Sequence, residues 1–130
     1  MRLLLLAACC VLAVACGPGG AGVPALPEAP TPEGATVFTA RDDLVDPHPI
    51  PIQSWTRVDG DRIAVHFETG TPECFGVDAT VTESGTTVTV ALRGGTLPEA
   101  VDRACIMIAV TGVLELTLRA PLADRIVTAG

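Results

Sequence analysis

The chain has 130 residues, 15 acids against 8 arginines and no lysine, and a formal net charge of −7. Such a surface excludes electrostatic adhesion to nucleic acid or to anionic lipid, both of which need clustered cations. Aromatic residues make up only 3%, with one Trp and no Tyr, so stacking platforms for sugars or bases are nearly absent too. Lysine, asparagine and tyrosine, whose codons are richest in A and T, are all missing, so the lack of lysine speaks of a GC-rich genome rather than of function.

Residues 1–15 read as a signal peptide. Arg2 supplies the charge, Leu3 to Ala15 the apolar stretch, and Ala13-Val14-Ala15 the small residues before a cut. Thirteen apolar residues are too few to span a bilayer, which takes about 20. The cysteine that follows, Cys16, makes the segment resemble the bacterial lipobox, although Ala13 stands where leucine is usual. Leu6-Ala7-Ala8-Cys9 fits that pattern better residue by residue but would leave too short an apolar segment. Cysteine arithmetic favours acylation at Cys16. Of five cysteines, Cys9 and Cys10 leave with the signal peptide and Cys16 carries lipid, which leaves Cys74 and Cys105 to pair in an oxidising compartment. Two acyl chains anchor stably where one does not, which places the protein on the outer face of a membrane. The alternative is plain secretion with Cys16 left as a free thiol.

From residue 16 to residue 34 the chain is poor in large apolar groups and rich in Gly and Pro, which predicts an unfolded tether. Residues 35–130 are then one β domain, near the lower end of domain size. Thr56 to Val58 turns at Asp59-Gly60 into a strand in which Ile63, Val65 and Phe67 alternate with Ala64, His66 and Glu68. Val77, Ala79 and Val81 continue the rhythm, Glu83-Ser84-Gly85-Thr86 is hairpin chemistry, and Val88, Val90 and Leu92 return. Thr96-Leu97-Pro98-Glu99 has the form of a capping box and predicts a helical turn over 98–104 that crosses between sheets. The continuous apolar run Cys105 to Val110 predicts a central strand covered on both faces. Leu114, Leu116 and Leu118 form another strand, and Arg125 to Thr128 the last. About seven short strands with one helical crossover describe an all-β, immunoglobulin-like sandwich.

Several stretches carry a family likeness. Leu44 through Pro49 and Trp55 to Arg62, Val65-His66-Phe67, Thr71-Pro72-Glu73-Cys74-Phe75, Thr86 to Leu92, Ala104-Cys105-Ile106 and Pro121-Leu122 to Val127 resemble uncharacterised exported proteins of actinobacteria, with Phe75 in place of their commoner tyrosine. The resemblance implies export, the disulfide and a β-sandwich, and brings no activity.

Catalytic candidates are sparse. Ser54 and Ser84 sit in no nucleophile elbow, and Ser84 belongs to a turn. His66 alternates outward, where a solvated ring is expected. His48, near Asp42, Asp43 and Asp46, is a candidate binding residue, but the cluster lacks calcium-loop spacing. Glu68, Glu73, Asp78 and Glu83 are the acids from which a hydrolase would need a facing pair. Trp55 is expected to plug the core beneath the disulfide, with an exposed binding anchor as the alternative. The expectation is a monomeric, lipid-anchored, non-enzymatic domain that binds another envelope component and uses no cofactor or metal. Its rivals are a small-ligand or metal carrier and an envelope hydrolase.

Overall fold

The structure, a computed structural model, describes residues 23–130, so the signal peptide and Cys16 lie outside the described residues. Eight strands build two facing sheets. The first has the order β1 (Thr36–Phe38), β7 (Val110–Thr117), β4 (Arg62–Thr69), β3 (Ser54–Arg57). The second is centred on β6 (Thr87–Thr96), with β5 (Phe75–Glu83) along one side. The other side of β6 is shared by β8 (Ile126–Ala129), parallel to its first half, and β2 (Val45–Pro49), antiparallel to its second.

Register explains the core. Trp55, Val65 and Leu114 share one row across β3, β4 and β7, as do Ile63 and Leu116 in the next, and these side chains meet Val77, Val88, Val90, Leu92 and Val127 of the other sheet. Phe67 lies opposite Gly112, and a methyl group at 112 would fall 2.5 Å from the Phe67 ring and 2.9 Å from Phe38. Glycine is there because two aromatic rings, 5.6 Å apart between centroids, occupy the space.

The all-β sandwich expected from the sequence is present, with differences in detail. The short β1 and the irregular β2 were not foreseen. Pro47 and Pro49 are tolerated because β2 pairs on one side only and shifts register between Val45 and His48. Residues 105–109 are not a strand; only Val110 of the run enters β7, and Ile106, Met107 and Ile108 are exposed. The helical turn shrinks to a 3-10 turn, Pro98–Ala100, and its capping box does not form because the Glu99 carboxylate is taken by Arg41 at 2.7 Å. The turn still sits on the crossover from β6 in one sheet to β7 in the other.

The expected tether is not loose over its whole length. Ala25 bridges Thr128 on β8, and Glu28 bridges Trp55 on β3, so residues 25–29 stitch one sheet to the other. Leu26 N–H donates to Val127 O at 2.8 Å, Ala29 N–H to Trp55 O at 2.8 Å, and the Trp55 indole N–H to Leu26 O at 3.1 Å. The chain then has to reach β1 at the far edge of the first sheet. Four strand spacings separate the two positions, about 19 Å, and seven residues extend to roughly 23 Å. Residues 29–36 therefore form a strap that spans the width of that sheet, with a turn at Glu33-Gly34 closed by the Ala35 N–H donating to Pro32 O at 3.3 Å. On the outward side of β4 and β7, Ala64, His66 and Val113 are all buried.

Candidate functional site

His66 departs from the environment expected of it. It alternates outward as expected, yet it is 0% exposed rather than solvated. Its Nδ1 is hydrogen-bonded to Ser54 Oγ at 2.7 Å, and its Nε2 has no partner among the described residues. Burial holds its pKa below the usual histidine value. A serine and a histidine in contact have the composition of a nucleophile and its base, but here the imidazole is enclosed and its second nitrogen meets no orienting carboxylate among the described residues.

Trp55 is buried in the main core and its indole N–H is satisfied, so it is not an exposed anchor. Nor does it lie beneath the disulfide. Cys74 and Cys105 are bonded, with Cα atoms 6.2 Å apart, but they belong to a second small cluster with Leu97, Ala100, Leu44 and Phe75.

The acids are dispersed. Asp78 pairs with Arg93 at 2.9 Å across β5 and β6. Glu83 accepts the backbone N–H of Arg119 at 2.7 Å and meets Arg125 at 3.1 Å, contacts that hold its pKa below the carboxylate norm. Arg125 also donates to the carbonyls of Ser84, Ala120 and Pro121, so this nearly buried pair clamps the β5–β6 hairpin to the connection before β8. Asp43 is held by Arg41 at 2.7 Å, which lowers its pKa; Arg41 grips Glu99 in the same way. Among the described residues no three of His, Cys, Asp and Glu gather as metal ligands do.

What the structure does bring together is a groove of about 430 Å³ at one end of the sandwich, where β4 and β6 finish and β5 and β7 begin. His48 and Ile50 form one wall, Glu68 and Thr69 another, Phe75 the floor, and the segment 106–109 the lip. The Phe75 ring packs so closely on Gly70 that no side chain fits at that position. His48 is held by a contact of its Nδ1 with the Asp46 carbonyl at 3.2 Å. The lip is the unusual part: Met107 is 87% exposed, Ile106 68% and Ile108 54%. Covalent and hydrogen-bonded restraints bracket it, because Cys105 is tied to Cys74 and Val110 pairs with Thr69. Three consecutive large apolar residues facing water are the feature of this end that burial alone does not explain. Of the groove, sequence reasoning found only His48 and Glu68. The available signal was the run 106–108 itself, apolar without alternation.

The class that this architecture defines is a small disulfide-bonded β-sandwich with an apolar groove at one end. No family model, curated protein or solved structure matches the chain. Among the described residues no helix is long and apolar enough to cross a membrane.

Proposed function

We propose that the protein is an exported, lipid-anchored domain, a monomer without enzymatic activity, cofactor or metal, that makes contact with another component of the cell envelope through the groove end. The observation that carries the contact is the exposed lip of Ile106, Met107 and Ile108, fixed at both ends by the disulfide and by β7. The anchor is supported by the apolar leader and by the cysteine count, in which Cys16 is the one thiol left once cleavage removes Cys9 and Cys10 and Cys74 pairs with Cys105. The resemblance to exported actinobacterial proteins points the same way. A second reading, a small-ligand carrier, is favoured by the groove volume, which falls within the range of ligand pockets, and by His48 and Glu68 as polar groups on its walls.

The test of the anchor is the intact mass of the protein recovered from the membranes of its own cells, beside a Cys16→Ser variant. Residues 16–130 plus acyl chains, lost in the variant, is the expected result. An unlipidated chain in the medium overturns the anchor. For the second reading, titration with small apolar carboxylic acids and amines should give neither heat nor a melting shift if the groove serves a larger partner.

A further inference from the structure

The direction in which the chain leaves the domain says which component the groove end meets. β8 runs parallel to β6, toward the groove end, and Ala25 pairs antiparallel with Thr128 of β8. Going back from Ala25 to Val23, the first described residue, the chain therefore points to the groove end. Ala25 lies level with Thr89, six residues short of Gly95 in the groove, a distance of about 20 Å. Nine residues separate Ala25 from Cys16 and reach about 30 Å at full extension. A linker of that length lets a bilayer held at Cys16 meet the end that carries Ile106, Met107 and Ile108, with Val101 exposed in the same segment. The opposite end has paired charges, the exposed Asp59 with Arg62 and the nearly buried Glu83 with Arg125, and its exposed apolar residues Val58 and Ile126 are not consecutive.

We propose that this end rests on the membrane that holds Cys16, with Ile106, Met107 and Ile108 seated among the lipid headgroups and upper acyl chains. The proposal depends on the lipid anchor described above and adds an orientation to it. The contact is apolar rather than electrostatic. The exposed chain next to the cluster carries both signs, Asp102 and Arg103, and Glu99 is paired with Arg41, so no cluster of cations awaits anionic lipid and a neutral surface is the fitting partner. Pinning at Cys105 and Val110 means that the lip is already shaped before it meets lipid, which reduces the ordering cost of insertion.

The experiment places the acylated protein from its own cells in vesicles of neutral phosphatidylcholine, with its mass confirming the acyl chains. Met107→Trp serves as reporter and Thr86→Trp, at the opposite end, as control; Trp55 stays buried and constant in both. The expected result is a blue-shifted Met107→Trp emission quenched by lipid brominated along its acyl chains, with Thr86→Trp unaffected and the quenching weakened by added phosphatidylglycerol. Met107 is the only methionine left after the signal peptide is removed, so the unaltered protein gives a second reading. Its oxidation by the charged oxidant chloramine T should slow severalfold on vesicles relative to the Cys16→Ser chain in solution. An acylated protein in vesicles whose reporter stays as wet as the control, with Met107 oxidised at the solution rate, overturns the docking and leaves the anchor standing. A mass without acyl chains overturns the anchor and the orientation together.

Discussion

Reduction of the Cys74–Cys105 bond is the perturbation whose size the structure lets us work out. The bond spans 31 residues, and in the chain-entropy model a loop of that length removes about 3.7 kcal/mol of unfolded-state freedom at 25 °C. A domain of about 100 residues loses roughly 4 °C of melting temperature per kcal/mol, so the Tm should fall by about 15 °C. Reduction is preferable to substitution because it leaves both sulfur atoms in place and opens no cavity. The assay is thermal unfolding followed by circular dichroism, with and without reductant, beside a Cys74→Ala/Cys105→Ala double variant that reductant should not affect. The location of the bond adds a second expectation. It lies in the small cluster with Leu97 and Ala100, apart from the main core of Ile63, Val65, Phe67 and Leu114. Native-state hydrogen exchange should therefore show residues 101–109 opening on reduction, while β4 and β6 lose only the protection that the global change dictates. A fall of less than 5 °C would refute the loop-closure argument. Equal loosening of β4 would refute the separation of the two clusters.

Gly112→Ala should destabilise the fold by about 1–3 kcal/mol, because the added methyl meets the rings of Phe67 and Phe38, whereas Gly85→Ala, with open space around it, should be close to neutral in a urea titration. His66 gives a pH signature. Its folded-state pKa is lowered, so the unfolded chain takes up the proton first as pH falls; the stabilisation is complete above about 6.5 and is lost below it at up to roughly 1.4 kcal/mol per pH unit. A Ser54→Ala/His66→Leu double variant should flatten that acid limb, and an unchanged slope between pH 6.5 and pH 5 would assign it elsewhere. Removing residues 16–22 should leave the melt unaltered, while extending the deletion to Gly34 should lower it, since the longer deletion takes away the bonds of Leu26, Pro27 and Ala29 to Val127 and Trp55. Equal melts for the two truncations would show that the strap contributes nothing.

How much of this was legible in the sequence depends on how local each feature is. Ile63-Val65-Phe67 and Val88-Val90-Leu92 announce themselves because a strand with one buried face writes its environment with a period of two. The same rule misled at His66, which stands on the outward row of β4 and is nevertheless fully buried, an enclosure that periodicity does not encode. Composition misled at residues 25–29 for a different reason: a proline-rich segment with little to bury can still be held by backbone hydrogen bonds to sheet edges. The apolar run at 105–110 has the composition of a buried strand, and only tertiary context distinguishes that from an exposed lip. Glu99 shows a competition of the same kind, since the carboxylate that would close a capping box finds a guanidinium instead. Of the groove, the sequence offered His48 and Glu68 singly; their meeting with Phe75 and Ile106 is a product of topology.

The outer side of β5 carries one more consequence. It is an edge strand of nine residues, the kind that recruits other chains into a continuous sheet. Two of its outward-facing backbone groups are already occupied: the Val77 carbonyl accepts the Arg41 N–H at 2.9 Å, and the Ala79 N–H donates to the side chain of Asp78, its own neighbour, at 2.9 Å. The second oxygen of Asp78 is anchored by Arg93, so the carboxylate is held where an incoming strand would have to dock. An incoming strand would have to displace both contacts, which makes this edge a poor template for the sheet-by-sheet stacking of copies that ends in fibrils.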